Sequence, residues 1–380
     1  MNRCRVCGGI FFSEPLLRYE NMPAAAQNMP TAATLADDRG TDLEVCQCSA
    51  CGLVQLSTEP VPYYREVIRA TAFSEEMRVF RLEQFQEFID KYSLNGKKII
   101  EIGCGKGEYL SLMRQCGGDV YGLEYAPASV EQCLQAGLVV SQGFVEHATQ
   151  KLEHGPFDAF FILNFLEHFP DPAAALLGIG HNLADGALGL VEVPNFDMIA
   201  AKELFSEFIA DHLVYFTKET LESALRLHGF EVIECRALWH EYILSAVVRK
   251  RQAMDLSRFR VNLYRLNREI DAYIRRFGDK KVAIWGAGHQ ALALMALLGL
   301  AGRISYVVDS APFKQGKWTP ATHIPIVAPQ TLETRPVAAV IVMAASYSDE
   351  VAKTIRRNFP AKIGVAIVRD FGLEVLSEER

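Results

Sequence analysis

The chain has 380 residues, half of them hydrophobic and 22% charged, which is too long for one ordinary domain and too apolar for a disordered one. Its net charge of −7 is uneven: residues 1–250 hold 20 basic and 34 acidic side chains, residues 251–380 hold 19 and 12. An acidic body lacks the basic footprint that binding a nucleic-acid backbone requires, and the longest apolar runs, such as Val337 to Ala345, fall short of the ~20 residues of a membrane helix. The opening Met1-Asn2-Arg3-Cys4 shows no secretion signal, so a soluble cytoplasmic protein is expected, with its nine cysteines as thiols or metal ligands. The basic last third suits a small anionic ligand or an ordinary solvated surface.

Cys4-Arg5-Val6-Cys7 and Cys48-Ser49-Ala50-Cys51 are two CxxC knuckles, each followed by glycine. That spacing aims two thiolates at one ion, and four thiolates close a structural zinc site with no open position. The predicted ligands are therefore Cys4, Cys7, Cys48 and Cys51, with Cys46 a poorer-spaced competitor. The alternative, a redox dithiol, belongs beside a βαβ pattern. So small a segment has too little core to fold alone, so the metal is expected to supply stability and no chemistry.

Ser74 to Tyr92 carries apolar residues near helical spacing and leads through Asn95-Gly96 into a strand, Lys98–Ile102. Gly103-Cys104-Gly105-Lys106-Gly107 follows, then a second helical run. Strand, glycine turn and helix form a nucleotide-binding arrangement, because absent side chains let a ligand press against the backbone. A second strand, Asp119–Leu123, ends in Glu124, where a carboxylate can accept two ribose hydroxyls. A third, Phe157–Leu163, runs into Asn164-Phe165-Leu166-Glu167-His168-Phe169-Pro170-Asp171-Pro172. Together these segments resemble the class I S-adenosylmethionine-dependent methyltransferases over residues ~75–250. The resemblance implies Gly103, Gly105, Glu124 and Asn164 as cofactor contacts, with Glu101 fixing the turn or reaching the donor ammonium through water. Glu167 and His168 either cap and orient the turn or meet substrate.

After a fifth apolar strand and Pro194-Asn195 comes Phe208 to Thr217, containing Asp211-His212. Histidine suits proton removal near neutrality and a carboxylate can stabilise the imidazolium, although adjacent side chains point in different directions. Thr217 and Thr220 are expected to cap the helix that follows.

Residues 254–277 form an arginine-rich amphipathic helix, and a second α/β unit starts at Lys281–Trp285 with the turn Gly286-Ala287-Gly288. Asp309 stands 21 residues after Gly288, close to a dinucleotide fingerprint, so an NAD site is an open alternative. In order, the pieces resemble sugar C-methyltransferases acting on nucleotide-linked keto-deoxysugars. The resemblance rests on the two knuckles, the EIGCGKG turn and the run from Val308 through Lys314 and His323 to Ile326.

It implies an α/β fold: a class I methyltransferase Rossmann-like core (73–250) between a small zinc-binding module (1–72) and a Rossmann-like substrate-binding domain (251–380), with the nucleotide sugar between the last two. It also implies His212 as the base that makes an enolate, Asp211 as its helper, and Asn195, Tyr64 (or Tyr63), Lys314 and His323 as substrate contacts. Departures fall on the substrate side. The family tyrosine is Ile209, the next residue is Ala210, the glutamate is shortened to Asp211, and a Lys-Gly-Asn-Thr run is Gln290-Ala291-Leu292-Ala293. An O- or N-methyltransferase is the second reading, and a bifunctional NAD-binding protein the third.

Overall fold

The computed structural model describes residues 3–27, 29–66, 74–359 and 363–376. Two compact units divide the chain, Met1–Ala253 and Met254–Arg380. Among the described residues, no helix is long and apolar enough to cross a membrane.

The first unit opens with β1 (Leu17–Met22), β2 (Thr41–Gln47) and β3 (Val54–Leu56). It continues through α1 (Glu75–Tyr92), β4 (Lys98–Ile102), α2 (Glu108–Gln115), β5 (Asp119–Glu124), α3 (Pro127–Gln135) and β6 (Val139–Gln142). Then come β7 (Phe157–Leu163), α4 (Pro172–His181), β8 (Leu183–Pro194), α5 (Phe196–Ala201), β9 (Val214–Tyr215), α6 (Lys218–Leu227), β10 (Phe230–Leu238) and β11 (Ile243–Lys250).

Seven strands form one sheet in the order β10-β11-β8-β7-β4-β5-β6. Strands β4 to β8 run parallel, while β11 enters antiparallel beside β8. The order reverses at β4, so the loops leaving β4 and β7 open the crevice where α/β sheets bind ligands. Strand β7 is buried almost throughout and packs on both faces, as parallel central strands do. The hairpin of β10 and β11 is an addition that the sequence reading lacked.

Helix α1 starts where Ser74 accepts a hydrogen bond from Met77 N–H, with Glu75 and Glu76 against the positive end of the dipole. Thr217 and Thr220 form a reciprocal cap on α6.

Under α1, Arg81 and Glu192 are fully buried and paired at 2.5 Å, and Gln84 binds the same carboxylate. Removing one partner of such a pair leaves a charge stranded in the core. Arg81→Met is expected to cost about 3–5 kcal/mol in a urea titration, and Arg81→Met with Glu192→Leu should recover most of that loss.

The knuckle strands form a separate small sheet, β1-β2-β3-β9. Its last member belongs to the methyltransferase-like part: Gln55 pairs with Val214 and Val54 with Tyr215.

The second unit comprises α7 (Ser257–Phe277), β12 (Val282–Trp285), α8 (His289–Leu297), β13 (Val307–Val308), β14 (Ile326–Val327) and α9 (Thr331–Thr334). It ends with β15 (Ala339–Val342), α10 (Ser348–Asn358), β16 (Gly364–Arg369) and β17 (Gly372–Leu376). Its sheet runs β14-β13-β12-β15-β16-β17, parallel except for β17.

Candidate active site

The β4–α2 turn takes its shape from close contacts. Gly103 has φ +73, and a Cβ there would meet Phe165 at 2.4 Å. Gly105 has φ +53 with nothing within 4 Å of such a Cβ, so this side of the turn is open to a ligand. Gly103→Ala must strain the backbone and push Phe165. We expect affinity for S-adenosylhomocysteine to fall at least about tenfold by calorimetry, the loss that a small misplacement of a binding loop produces.

Glu124 ends β5 with one oxygen 2.8 Å from Gly105 N and the other 2.8 Å from Ala126 N. Burial pushes its carboxyl above the ordinary carboxylate range, against the pull of those N–H groups. Each oxygen keeps a lone pair for further donors. Glu101 is buried in β4 just before the turn. Asn164, after β7, adopts φ 47, and its buried Oδ1 has no hydrogen-bond partner among the described residues. An open turn, a two-oxygen acceptor and an orphaned amide oxygen thus stand together at the switch point, and they fit a ligand with ribose hydroxyls and an amino group.

From Asn164 the chain leads into a buried cluster. Phe165 packs on Gly103 and lies 6.2 Å from the His168 ring, which meets His212 edge-on at 4.8 Å. His168 Nδ1 is 2.7 Å from the Asp211 carbonyl oxygen, so Nδ1 carries the hydrogen and Nε2 the lone pair. Burial holds His168 down to about 4 and His212 to about 3, and two neighbouring imidazoles disfavour each other's charge, so both rings are neutral near pH 7. Burial alone pushes Glu167 up to about 8.

Among the described residues, no hydrogen bond joins the Asp211 carboxylate to His212. That carboxylate accepts from Tyr63 Oη at 2.9 Å and from Ala26 N at 3.0 Å, tying the segment to the N-terminal part of the unit. The physical reason is that neighbouring side chains diverge from a turn. Tyr63, from a distant part of the chain, thus brings a phenol to Asp211, while Tyr215 Oη accepts from Ile209 N at 3.1 Å.

The four predicted knuckle sulfurs lie within 4.8 Å of one another, with Cys4–Cys51 at 3.6 Å and Cys7–Cys48 at 3.5 Å. A zinc tetrahedron with bonds of about 2.3 Å has edges of about 3.8 Å, so the sulfurs fit such an ion. Burial pushes the Cys4 thiol up to about 11, whereas N–H groups of Cys51 and Ala50 outweigh burial and bring Cys48 down to about 7. Cys46 lies on β2 outside this group.

Residues 74–235 match the family model described as a methyltransferase domain, and 250–368 match the C-methyltransferase C-terminal domain. The C-methyltransferase NovU of Streptomyces niveus is 23% identical, with 92% of this chain aligned to 91% of that one. The chain is an S-adenosylmethionine-dependent methyltransferase with a match to a C-methyltransferase C-terminal domain.

Other similarities of this methyltransferase are narrower. The ubiquinone biosynthesis O-methyltransferase of Stutzerimonas stutzeri is 36% identical over 27% of this chain and 44% of its own. The magnesium protoporphyrin IX methyltransferase of Synechocystis, solved with bound SAH, is 13% identical with a TM-score of 0.38, aligned over 48% of this chain and 90% of that one.

Two expected substrate contacts of the methyltransferase are engaged elsewhere. Asn195 Oδ1 accepts from Asp197 N and Met198 N, and its Nδ2 donates to Glu241 O at 2.7 Å. Standing between a strand and a helix, it is an N-cap that also ties down the β10–β11 hairpin. Lys314 is ion-paired with Asp309 at 2.9 Å. Asp309 also accepts from Ala287 N and Ala311 N, which lowers its pKa against the effect of burial. The second glycine turn thus has the same acid-to-turn bond as the first, with a cation added to it. Tyr64 packs edge-on against Phe144 under the Arg65 guanidinium, and His323 is exposed with φ 50.

Proposed function

We propose that this methyltransferase places a methyl group on carbon, in a nucleotide-linked keto-deoxysugar or a similarly activated small molecule, after proton removal beside a carbonyl. The observation that carries the reading is the chain of ring contacts that links His212 through His168 and Phe165 to the glycine turn. Support also comes from the full-length likeness to a protein named a C-methyltransferase.

Gly103, Gly105, Glu124 and Asn164 would hold S-adenosylmethionine, with Glu101 supporting the turn. The bound donor supplies an electrophilic methyl group, so the demanding step left to the protein is making carbon nucleophilic. His212 takes the acceptor proton on its unprotonated ring nitrogen. His168 fixes that ring from the side, through a tautomer set by the Asp211 carbonyl. Tyr63, bonded to Asp211, brings a second phenol to a segment that already holds Tyr215, whose Oη accepts from Ile209 N. Tyr64 and His323 remain our candidates for acceptor contacts. Cys4, Cys7, Cys48 and Cys51 would hold a structural zinc, and a cytoplasmic setting suits so thiol-rich a chain. We divide the chain functionally into 1–72, 73–250 and 251–380.

The test is mass spectrometry of nucleotide-linked 4-keto-deoxysugars incubated in heavy water, with and without S-adenosylmethionine. Donor-dependent gain of one methyl on carbon, with donor-independent deuterium entry at that carbon, is the expected result. A methyl found on oxygen or nitrogen overturns the enolate route.

A further inference from the structure

The trio behind the proposed base has a property that proton abstraction does not use. Glu167, His168 and His212 each offer a ligand atom, and these atoms lie within 4.8 Å of one another. Glu167 is only 2% exposed, and its Oε2 has no hydrogen-bond partner among the described residues. No lysine or arginine pairs with it there; its recorded ionic neighbour is His168 Nε2, 3.9 Å from Oε1. An orphaned buried carboxyl oxygen is a costly feature unless something fills the gap.

The histidine beside it is set up to bind. The Asp211 carbonyl can only accept, so the Nδ1 hydrogen of His168 is committed to it, and the lone pair sits on Nε2, facing Glu167. An outer-shell carbonyl holding one ring nitrogen while the other points at an ion is how metal-binding histidines are fixed. Zinc bonds of about 2.1 Å give tetrahedral edges of about 3.4 Å, so modest side-chain rotation gathers the three atoms. Two imidazoles and one carboxylate, without thiolate, favour zinc, cobalt or nickel over magnesium or calcium. Three protein ligands leave a coordination position open, unlike the closed four-sulfur arrangement at the knuckles.

We propose that Glu167, His168 and His212 form a second cation site, for a divalent ion of the zinc type, whose occupation silences methyl transfer by taking the lone pair of His212. The binding half stands on the cluster geometry. The silencing half rests on the reading of His212 as base, since a ring nitrogen bound to a metal cannot also accept a proton.

The experiment titrates Co²⁺ into the full-length chain with its knuckles already loaded with zinc. One further equivalent should bind, with ligand-field absorption but no thiolate charge-transfer band, and product formation should fall as that absorption grows. Glu167→Gln and His168→Gln should each weaken Co²⁺ binding at least about tenfold, while S-adenosylhomocysteine binding reports that the fold is intact. If either variant fails that check, the other carries the test. Absence of a further equivalent, or unchanged binding in a folded variant, overturns the site. Binding with undiminished turnover overturns the silencing and the base role together, leaving the cation site. No binding beside an inactive His212→Asn protein overturns the site and leaves the base.

Discussion

Replacing His212 by asparagine is expected to lower turnover by about 10²–10⁴-fold, the usual worth of a positioned general base. The loss should fall on kcat, with affinity for S-adenosylhomocysteine unchanged, because the glycine turn, Glu124 and Asn164 do not depend on the imidazole. Asparagine keeps part of the ring's volume against His168 and Tyr215, whose centroids lie 4.8 and 6.3 Å away, so the pocket has little reason to collapse. Deuterium entry into the acceptor from heavy water, measured without donor, isolates the proton step from methyl transfer. If the variant still exchanges that proton at the wild-type rate, the base lies elsewhere. Tyr63→Phe removes one of two donors to the Asp211 carboxylate and should reduce turnover by a smaller factor in the same assay.

The parts of this protein that were legible in sequence are those where a residue type has one main physical use. Two CxxC pairs announce one sulfur tetrahedron, and the four sulfurs do converge. A glycine turn after a strand announces a close backbone approach, and Gly103 has no room for a side chain. What was hidden depends on burial and on contacts distant in sequence. Nothing local shows that Asp211 binds Tyr63, 148 residues away, or that Glu167 lies buried beside two histidines. Asn195 misled for the opposite reason: a polar residue after a strand suits substrate contact and helix capping equally, and the local demand of α5 took it. Strand β9 was invisible because two residues make no periodic pattern, yet it joins the knuckle sheet to the segment that carries His212.

That junction makes metal removal the other large expected effect. The knuckle sheet ends on β9, and the contacts continue: Leu56 N–H donates to Leu213 O, and Leu213 N–H donates to Glu167 O. Arg5, inside the first knuckle, donates to Pro170 O at 2.9 Å. Both segments that supply the proposed catalytic cluster, 167–170 and 211–215, are therefore braced by a module that four thiolates would hold together. Structural zinc contributes about 10–16 kcal/mol to isolated zinc-finger peptides, and part of that stabilisation should reach the His212 segment through β3 and β9. We expect one tightly held zinc per chain by elemental analysis, absent from Cys48→Ser. In that variant, backbone amides over 211–215 should lose hydrogen-exchange protection and turnover should fall at least about tenfold, as misplacement of a catalytic group entails. Donor affinity should survive, because Gly103 and Gly105 follow β4 and Glu124 ends β5 in the seven-stranded sheet, which among the described residues pairs with no knuckle strand. A zinc-free variant with full protection over 211–215 and full turnover would reduce the knuckles to a surface ornament, and the route from metal to His212 through β9 would fail with it.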